Sequence, residues 1–368
     1  MLNFLKDARR NFQPPYKFEK IIVFESDDWG AECISKQKVY RQLLEKGLPV
    51  DKDPYSKFDN IASEQDLNRL FNLLVSFKDS NGNHPVITAN VNMGNPDYPK
   101  IKENNFHHFF WRQLDTTLEK YSTKNCLLDI WKDAIKSKIF FPQLHSREHL
   151  NVNPWLKDLR ENRFDVSKSF EYGVFNANVS YKVGNRNDYR AAFDYQSIEE
   201  TQFHVNAIQE SYHEFIRVFG FASKSFIAPC YTWNQVHEAC LNDLGVHILQ
   251  GAANYKCPQG FGQSYQINRN AFFSKNVFGQ TYLSRNVMFE PSQKEDESSD
   301  KIISNTLKQI RNAFLFGKPA IISMHRLNVI GNRVQQNADD NLKMLEHLLK
   351  LILKKWPDVR FKKTVDLV

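Results

Sequence analysis

Lys20-Ile-Ile-Val-Phe-Glu-Ser-Asp-Asp-Trp-Gly30 decides how the rest of the chain is read. An apolar run, Ile21 to Phe24, ends in two adjacent carboxylates, Asp27 and Asp28, followed by Trp29 and Gly30. Short β-branched and aromatic runs bounded by polar residues and glycine form buried strands. A parallel α/β fold places its site at the carboxyl end of such strands. Two carboxylates held side by side there repel each other, and a cation or a proton must relieve the repulsion. The competing reading is a plain turn or helix cap, a role Asp fills well.

A second stretch weighs against the cap. Ile139-Phe-Phe-Pro-Gln-Leu144 is another strand pattern and runs straight into His145-Ser-Arg-Glu-His149. Two histidines at i and i+4 share one face of a helical turn and can hold one metal ion through their ring nitrogens. With Asp28 as an oxygen donor they make three protein ligands, the usual composition of a catalytic metal site with one position left open. The same residues also spell H-x-x-E-H, a peptidase pattern in which Glu148 would be the general base. That pattern belongs in a long helix, whereas a strand and Pro142 precede it here and Asn153-Pro154 follows. It also leaves the aspartate pair without a role, and so ranks second.

Outward from these two stretches, strand and helix patterns alternate. Helices are expected over 35–47, 63–78, within 105–137, over 153–161, 197–219, 234–243, up to 316 and over 338–355. Strands are expected at 86–91, 225–231, 246–249, 282–290, 319–324 and 359–362. Ser63 and Asp66 stand at N-cap and N3 spacing, and Leu67, Leu70, Phe71 and Leu74 form one apolar face. The paired His107 and His108 read as surface or packing residues. The segment 172–195 is polar, and 251–280 is rich in Gly, Gln and Asn without the spacing of a phosphate-cradling loop. Such alternation implies parallel βα units, hence a barrel or a doubly wound sheet.

Composition bounds the class. The 368 residues are 41% hydrophobic and 25% charged, as in an ordinary soluble globular chain, and suffice for a large core. The net charge of +7 is scattered rather than striped, which speaks against nucleic acid as a partner. Five cysteines form no CxxC pair, arguing against a disulfide framework or a cysteine zinc knuckle. No run is long enough to span a bilayer, and the N-terminus lacks the apolar core of a signal peptide, so a cytoplasmic location is expected.

Taken together, Asp-Asp after the first strand, His-Ser-x-x-His after the third, the Pro-aromatic segment 229–231 and a late strand ending in His325 resemble the polysaccharide deacetylase family, carbohydrate esterase family 4. The form S-D-D-W-G with H-x-R-E-H is similar to a bacterial subgroup labelled polysaccharide (de)acetylases. The resemblance covers residues 18–366 and implies a single domain over 1–368. Its fold would be an α/β distorted (β/α)7 barrel of the glycoside hydrolase/deacetylase type, with loop insertions near 172–195 and 251–280.

It further implies a metal-dependent hydrolase removing N- or O-linked acetyl groups from a glycan or glycan precursor. Asp27 would be the catalytic base and His325 the general acid, with Asp28, His145 and His149 holding a divalent metal, usually zinc. The backbone N–H of Cys230 or Tyr231 would bind the oxyanion, and Trp29 and Tyr231 are candidates to stack on sugar rings. The chain departs from the family pattern in one respect: the arginine expected just before the proline is missing, and Ile227 and Ala228 stand there. Arg285 is the candidate substitute, and Glu290 the candidate to orient His325 and raise its pKa. Two other readings stay open. One is a glycoside hydrolase with Asp27 and Glu290 as its carboxylate pair; the other is a catalytically lapsed carbohydrate-binding protein.

Overall fold

The structure, a computed structural model, describes residues 19–175, 177 and 189–368. The N-terminal residues and part of the expected 172–195 insertion therefore lie outside the described residues.

The sheet is built from β1 (Ile21–Trp29), β2 (Ile87–Asn92), β3 (Phe140–Ser146), β4 (Ser225–Ile227), β5 (Ile248–Gly251), β6 (Thr281–Ser284), β7 (Val287–Met288) and β8 (Ala320–His325). Its order is β6-β5-β4-β3-β2-β1-β8-β7, and every neighbouring pair is parallel. The two ends of that order, β6 and β7, are halves of one stave interrupted at Arg285 and Asn286. The first half pairs with β5 and the second with β8, so the sheet closes on itself as a distorted (β/α)7 barrel. A short β9 (Arg360–Phe361) pairs with the start of β1.

Period-two alternation explains why β1 reads as continuously apolar: both of its faces are buried. Ile21 and Val23 pack inside the barrel with Ile248, Leu283 and Ile321. Ile22 and Phe24 face outward into the main core, among the leucines of the surrounding helices. The inward series continues to Glu25 and Asp27, so the apolar floor gives way to charge toward the carboxyl end. Opposite them on β8, Asp27 is in register with His325.

The helices form for local reasons and bury one stripe each. The helix α1 (Glu64–Val75) starts at a capping box between Ser63 and Asp66 and buries Leu67, Leu70, Phe71 and Leu74. The long helix α2 (Thr201–Phe219) stops where Gly220 takes a left-handed φ of 75°. The last one, α3 (Gln335–Lys355), buries Leu342, Leu345, Leu348, Leu349 and Ile352.

Three expectations need correction. His145 lies at the end of β3, and the chain beyond Ser146 is irregular, bent loop, not helix, so the i, i+4 pair meets across a strand end and a loop. The segment 251–280 contains an antiparallel hairpin, Asn254–Cys257 with Gln266–Arg269, which its polar composition hid. The expected single strand 225–231 ends at Ile227 and gives way to a tight turn over Pro229–Tyr231.

Candidate metal centre and active site

The carboxyl ends of the staves gather around a cavity of about 330 Å³, whose wall includes Asp27, Asp28, His145, His149, Tyr231 and His325. How two adjacent aspartates both reach it is a matter of backbone. Between Ser26 and Trp29 the β1–β2 register shifts, and Asp28 adopts a φ of 71°. A left-handed non-glycine residue is uncommon, and Asp and Asn tolerate it best. The bulge adds the residue that lets Asp28 join Asp27, while Trp29 returns to the outer face.

Trp29 is accordingly no sugar platform. It is 1% exposed, donates its indole N–H to Ser26 Oγ at 2.9 Å, and packs edge-on against Trp131 and Phe140. The sequence reading that offered it as a stacking surface is corrected: the bulge that presents Asp28 turns the next side chain into the core.

Asp28 Oδ1 lies 3.4 Å from His145 Nε2 and 3.3 Å from His149 Nε2. The side chains offer ligand atoms all within 4.8 Å of one another, and among the described residues this is the one cluster of its kind. His145 Nδ1 sits 2.7 Å from the Ile227 carbonyl oxygen. That oxygen only accepts, so Nδ1 carries the proton of this bond and Nε2 is the ring atom turned toward Asp28. Both Asp28 Oδ1 and His145 Nε2 are buried without a hydrogen-bond partner. Two buried polar atoms left facing each other without a hydrogen bond cost free energy unless a cation or a proton stands between them. The donor set, one carboxylate and two imidazoles, suits a divalent ion such as zinc. Burial alone would raise the Asp28 carboxyl, but His149 and His145 outweigh it and hold it far below the usual carboxylate range.

Asp27 is satisfied on every side. Arg285 grips it with two bonds of 2.6 Å, Nη1 to Oδ2 and Nη2 to Oδ1, and Asn90 Nδ2 donates to Oδ1 at 2.7 Å. Arg285 also donates from Nε to Glu25 Oε2 at 2.7 Å. The arginine leaves the sheet where the stave is interrupted, which is how it reaches the barrel interior. Its two carboxylates respond differently. At Asp27, burial would raise the pKa, but the bidentate guanidinium prevails and holds it at about 2. At Glu25, which Arg285 meets through one nitrogen, burial prevails and the pKa is raised.

Across the cavity His325 Nδ1 lies 2.6 Å from Glu290 Oε1, and its Nε2 is 3.7 Å from Asp27 Oδ2. Burial would lower this imidazole, but the charge and hydrogen bond of Glu290 overcome it, and the ring is pushed up to about 10. Glu290 is itself 2% exposed and accepts from Asn328 Nδ2 at 2.7 Å. Tyr55, on a short helix (Pro54–Phe58), places its hydroxyl 3.1 Å from His325 Nε2 and accepts there from Gln293 at 3.0 Å. Tyr55, Asn90 and Glu25 were not picked out from the sequence, because a single polar residue in a loop or strand carries no spacing signal.

Cys230 and Tyr231 both adopt left-handed φ, 55° and 53°, in the turn after β4. The Tyr231 N–H donates to the Ala228 carbonyl at 3.0 Å, so of the two backbone donors expected for an oxyanion, this one is committed within the turn. The Tyr231 ring does border the cavity. Glu148, the base of the peptidase reading, is bonded by Arg147 at 2.5 Å and 2.9 Å and is 4% exposed. Its carboxylate is absorbed in a buried ion pair.

No protein-family model and no curated protein matches the chain. Among solved structures, a protein of Pseudomonas aeruginosa PAO1 described as a probable polysaccharide deacetylase aligns with 98% of this chain and 95% of its own, at 9% identity and a TM-score of 0.49. The Puue allantoinase aligns with 97% of this chain and 93% of its own, at 11% identity and a TM-score of 0.48. A carbohydrate esterase family 4 pseudoenzyme of Bacillus anthracis aligns with 95% of this chain and 65% of its own, at 9% identity and a TM-score of 0.40. Likenesses this distant assign no activity. Among the described residues, no helix is long and apolar enough to cross a membrane.

Proposed function

We propose that the chain is a metal-dependent hydrolase that removes an N- or O-linked acetyl group from a glycan or glycan precursor. One observation carries the reading: Asp28 Oδ1 and His145 Nε2, buried and without partners, face each other beside His149. Asp28, His145 and His149 would hold the ion, which when bound acidifies water and polarises a carbonyl.

The remaining chemistry belongs to the chain. Asp27, kept ionised by Arg285, accepts the proton of the attacking water as its oxygen adds to the acyl carbon. The backbone N–H of Cys230, at the cavity wall, is the donor assigned to the oxyanion. His325, kept protonated by Glu290, delivers a proton to the leaving nitrogen or oxygen as its bond to the acyl carbon breaks. Acetate and a free amine or hydroxyl result. Arg285 occupies the place beside Asp27 that the lapsed-protein reading held to be vacant. The glycoside hydrolase reading is disfavoured because Glu290 lies behind the imidazole and is almost fully buried. A carboxylate there meets His325 before it meets a sugar.

The test is acetate release from N-acetylchitooligosaccharides and acetylated xylan, before and after chelation. Release that is abolished by the chelator and restored by added zinc supports the reading. Release untouched by complete metal removal, or none from any acetylated glycan, would overturn it.

A further inference from the structure

Tyr55 stands half-buried in the wall of the cavity, its ring edge-on to that of His325 at 5.2 Å between centroids. Its short helix is held in place from outside. Asp53 caps that helix by accepting from the Ser56 N–H at 3.0 Å. Arg190 pairs with Asp53 at 3.3 Å, and its guanidinium lies 5.1 Å over the Tyr55 ring.

The neighbours of the Tyr55 hydroxyl decide where its hydrogen points. The protonated His325 ring gives its Nδ1–H to Glu290, which leaves one proton, on Nε2. Within bonding reach of Nε2 is the Tyr55 oxygen at 3.1 Å, whereas Asp27 Oδ2 stands off at 3.7 Å. Gln293 Nε2 donates to the same phenol oxygen at 3.0 Å. Two donors thus occupy its lone pairs, and among the described residues no further group is bonded to it. Its own hydrogen is left for the cavity, on whose wall Tyr55, Gln293 and His325 all lie. Burial, with the charges of Glu290 and Asp28, pushes the phenol well above its usual range, so the hydrogen stays in place at neutral pH.

We propose that Tyr55 is a catalytic residue, the last link through which the proton of His325 reaches the leaving atom. As the bond from the acyl carbon to the leaving nitrogen or oxygen breaks, its electron pair takes the Tyr55 hydroxyl proton. The Tyr55 oxygen takes the Nε2 proton of His325 in the same step. The imidazole ends neutral, Tyr55 ends as it began, and one proton has moved. This role rests on the hydrolase reading above, and the substrates of its test separate the two.

The test runs the zinc-loaded full chain on two kinds of acetyl compound. Acetanilide, N-acetylchitotriose and acetylated xylan have leaving groups that need a proton; 4-nitrophenyl acetate has one that needs none. Tyr55→Phe keeps the ring and removes the oxygen alone. Its kcat should fall about 10²-fold on the first kind and by no more than about threefold on the activated ester. Gln293→Glu, at an exposed position, should reproduce that selective loss even if Tyr55→Phe destabilises the fold. Its carboxylate accepts the Tyr55 hydrogen and draws it away from the cavity. Unchanged rates on the first kind in both variants, or equal falls on the two kinds, overturn the relay. A selective loss on acetanilide in a chain that cleaves no acetylated glycan would support Tyr55 and overturn the glycan reading alone. Cleavage of the activated ester alone, or of no compound, overturns both.

Discussion

The two aspartates at the end of β1 are adjacent in sequence and opposite in circumstance. Asp27 accepts three hydrogen bonds from Arg285 and Asn90, whereas the Oδ1 of Asp28 has none and faces two imidazoles. The same contrast runs through the site. On the Asp27 side, Glu25, Arg285, Glu290 and His325 are each paired in buried bonds. On the Asp28 side, Asp28 Oδ1 and His145 Nε2 are buried without a hydrogen bond and lie beside His149. Satisfied groups hold a charge in place, and unsatisfied ones hold a place for a charge.

Exchanging each carboxylate for its amide breaks the comparison most sharply. Asp27→Asn should keep the bound metal and lose activity by about 10²–10⁴-fold, the usual worth of a general base. Asp28→Asn should lose the metal together with the activity. Metal content and acetate release on the same preparations decide it, and equal metal loss in both variants would erase the distinction.

Removing Arg285 attacks the satisfied side. Arg285→Ala strands Glu25 and Asp27 in the barrel interior, and breaking a buried pair costs about 3–5 kcal/mol. Stranded carboxyls take up protons on folding, because burial raises their pKa in the folded state. The deficit in urea denaturation should therefore shrink as pH falls and grow as it rises. A loss independent of pH would mean that the carboxylates find other partners.

Glu290→Gln is the mildest. His325 has a raised folded pKa, so its stabilising contribution is complete below the unfolded value of about 6.5 and lost as pH rises through about 10. Without the Glu290 charge, the partner that raises the ring most is gone, and the ring titrates lower. The alkaline limb of kcat/KM should move to lower pH, with activity at pH 8 reduced about tenfold or more. An unmoved limb would take the general-acid role away from His325.

Much of the barrel was legible in the chain because parallel staves are apolar on both faces. Ile21–Phe24, Ile139–Phe141 and Ala320–Ile322 announce themselves without an alignment. The bulge was not legible. Nothing in Ser-Asp-Asp-Trp-Gly says that Asp28 takes a left-handed φ and sends Trp29 into the core, since that depends on the register against β2. Helical spacing misled at His145 and His149, where the strand persists through the first histidine and a loop supplies the second. The hairpin Asn254–Arg269 was hidden because strands lying over a surface need no apolar alternation. Arg285 is expected from the sequence only as a substitute for the family's missing arginine, and its partnership with Glu25 arises only where the stave breaks.

The most direct test of the cradle is an anomalous difference map from crystals of the chain prepared with zinc. The account predicts one peak at about 2.0–2.2 Å from an Asp28 oxygen and from Nε2 of both His145 and His149. A map with no peak there, or an ion held elsewhere while Asp28 stays beyond bonding reach of both imidazoles, would contradict it.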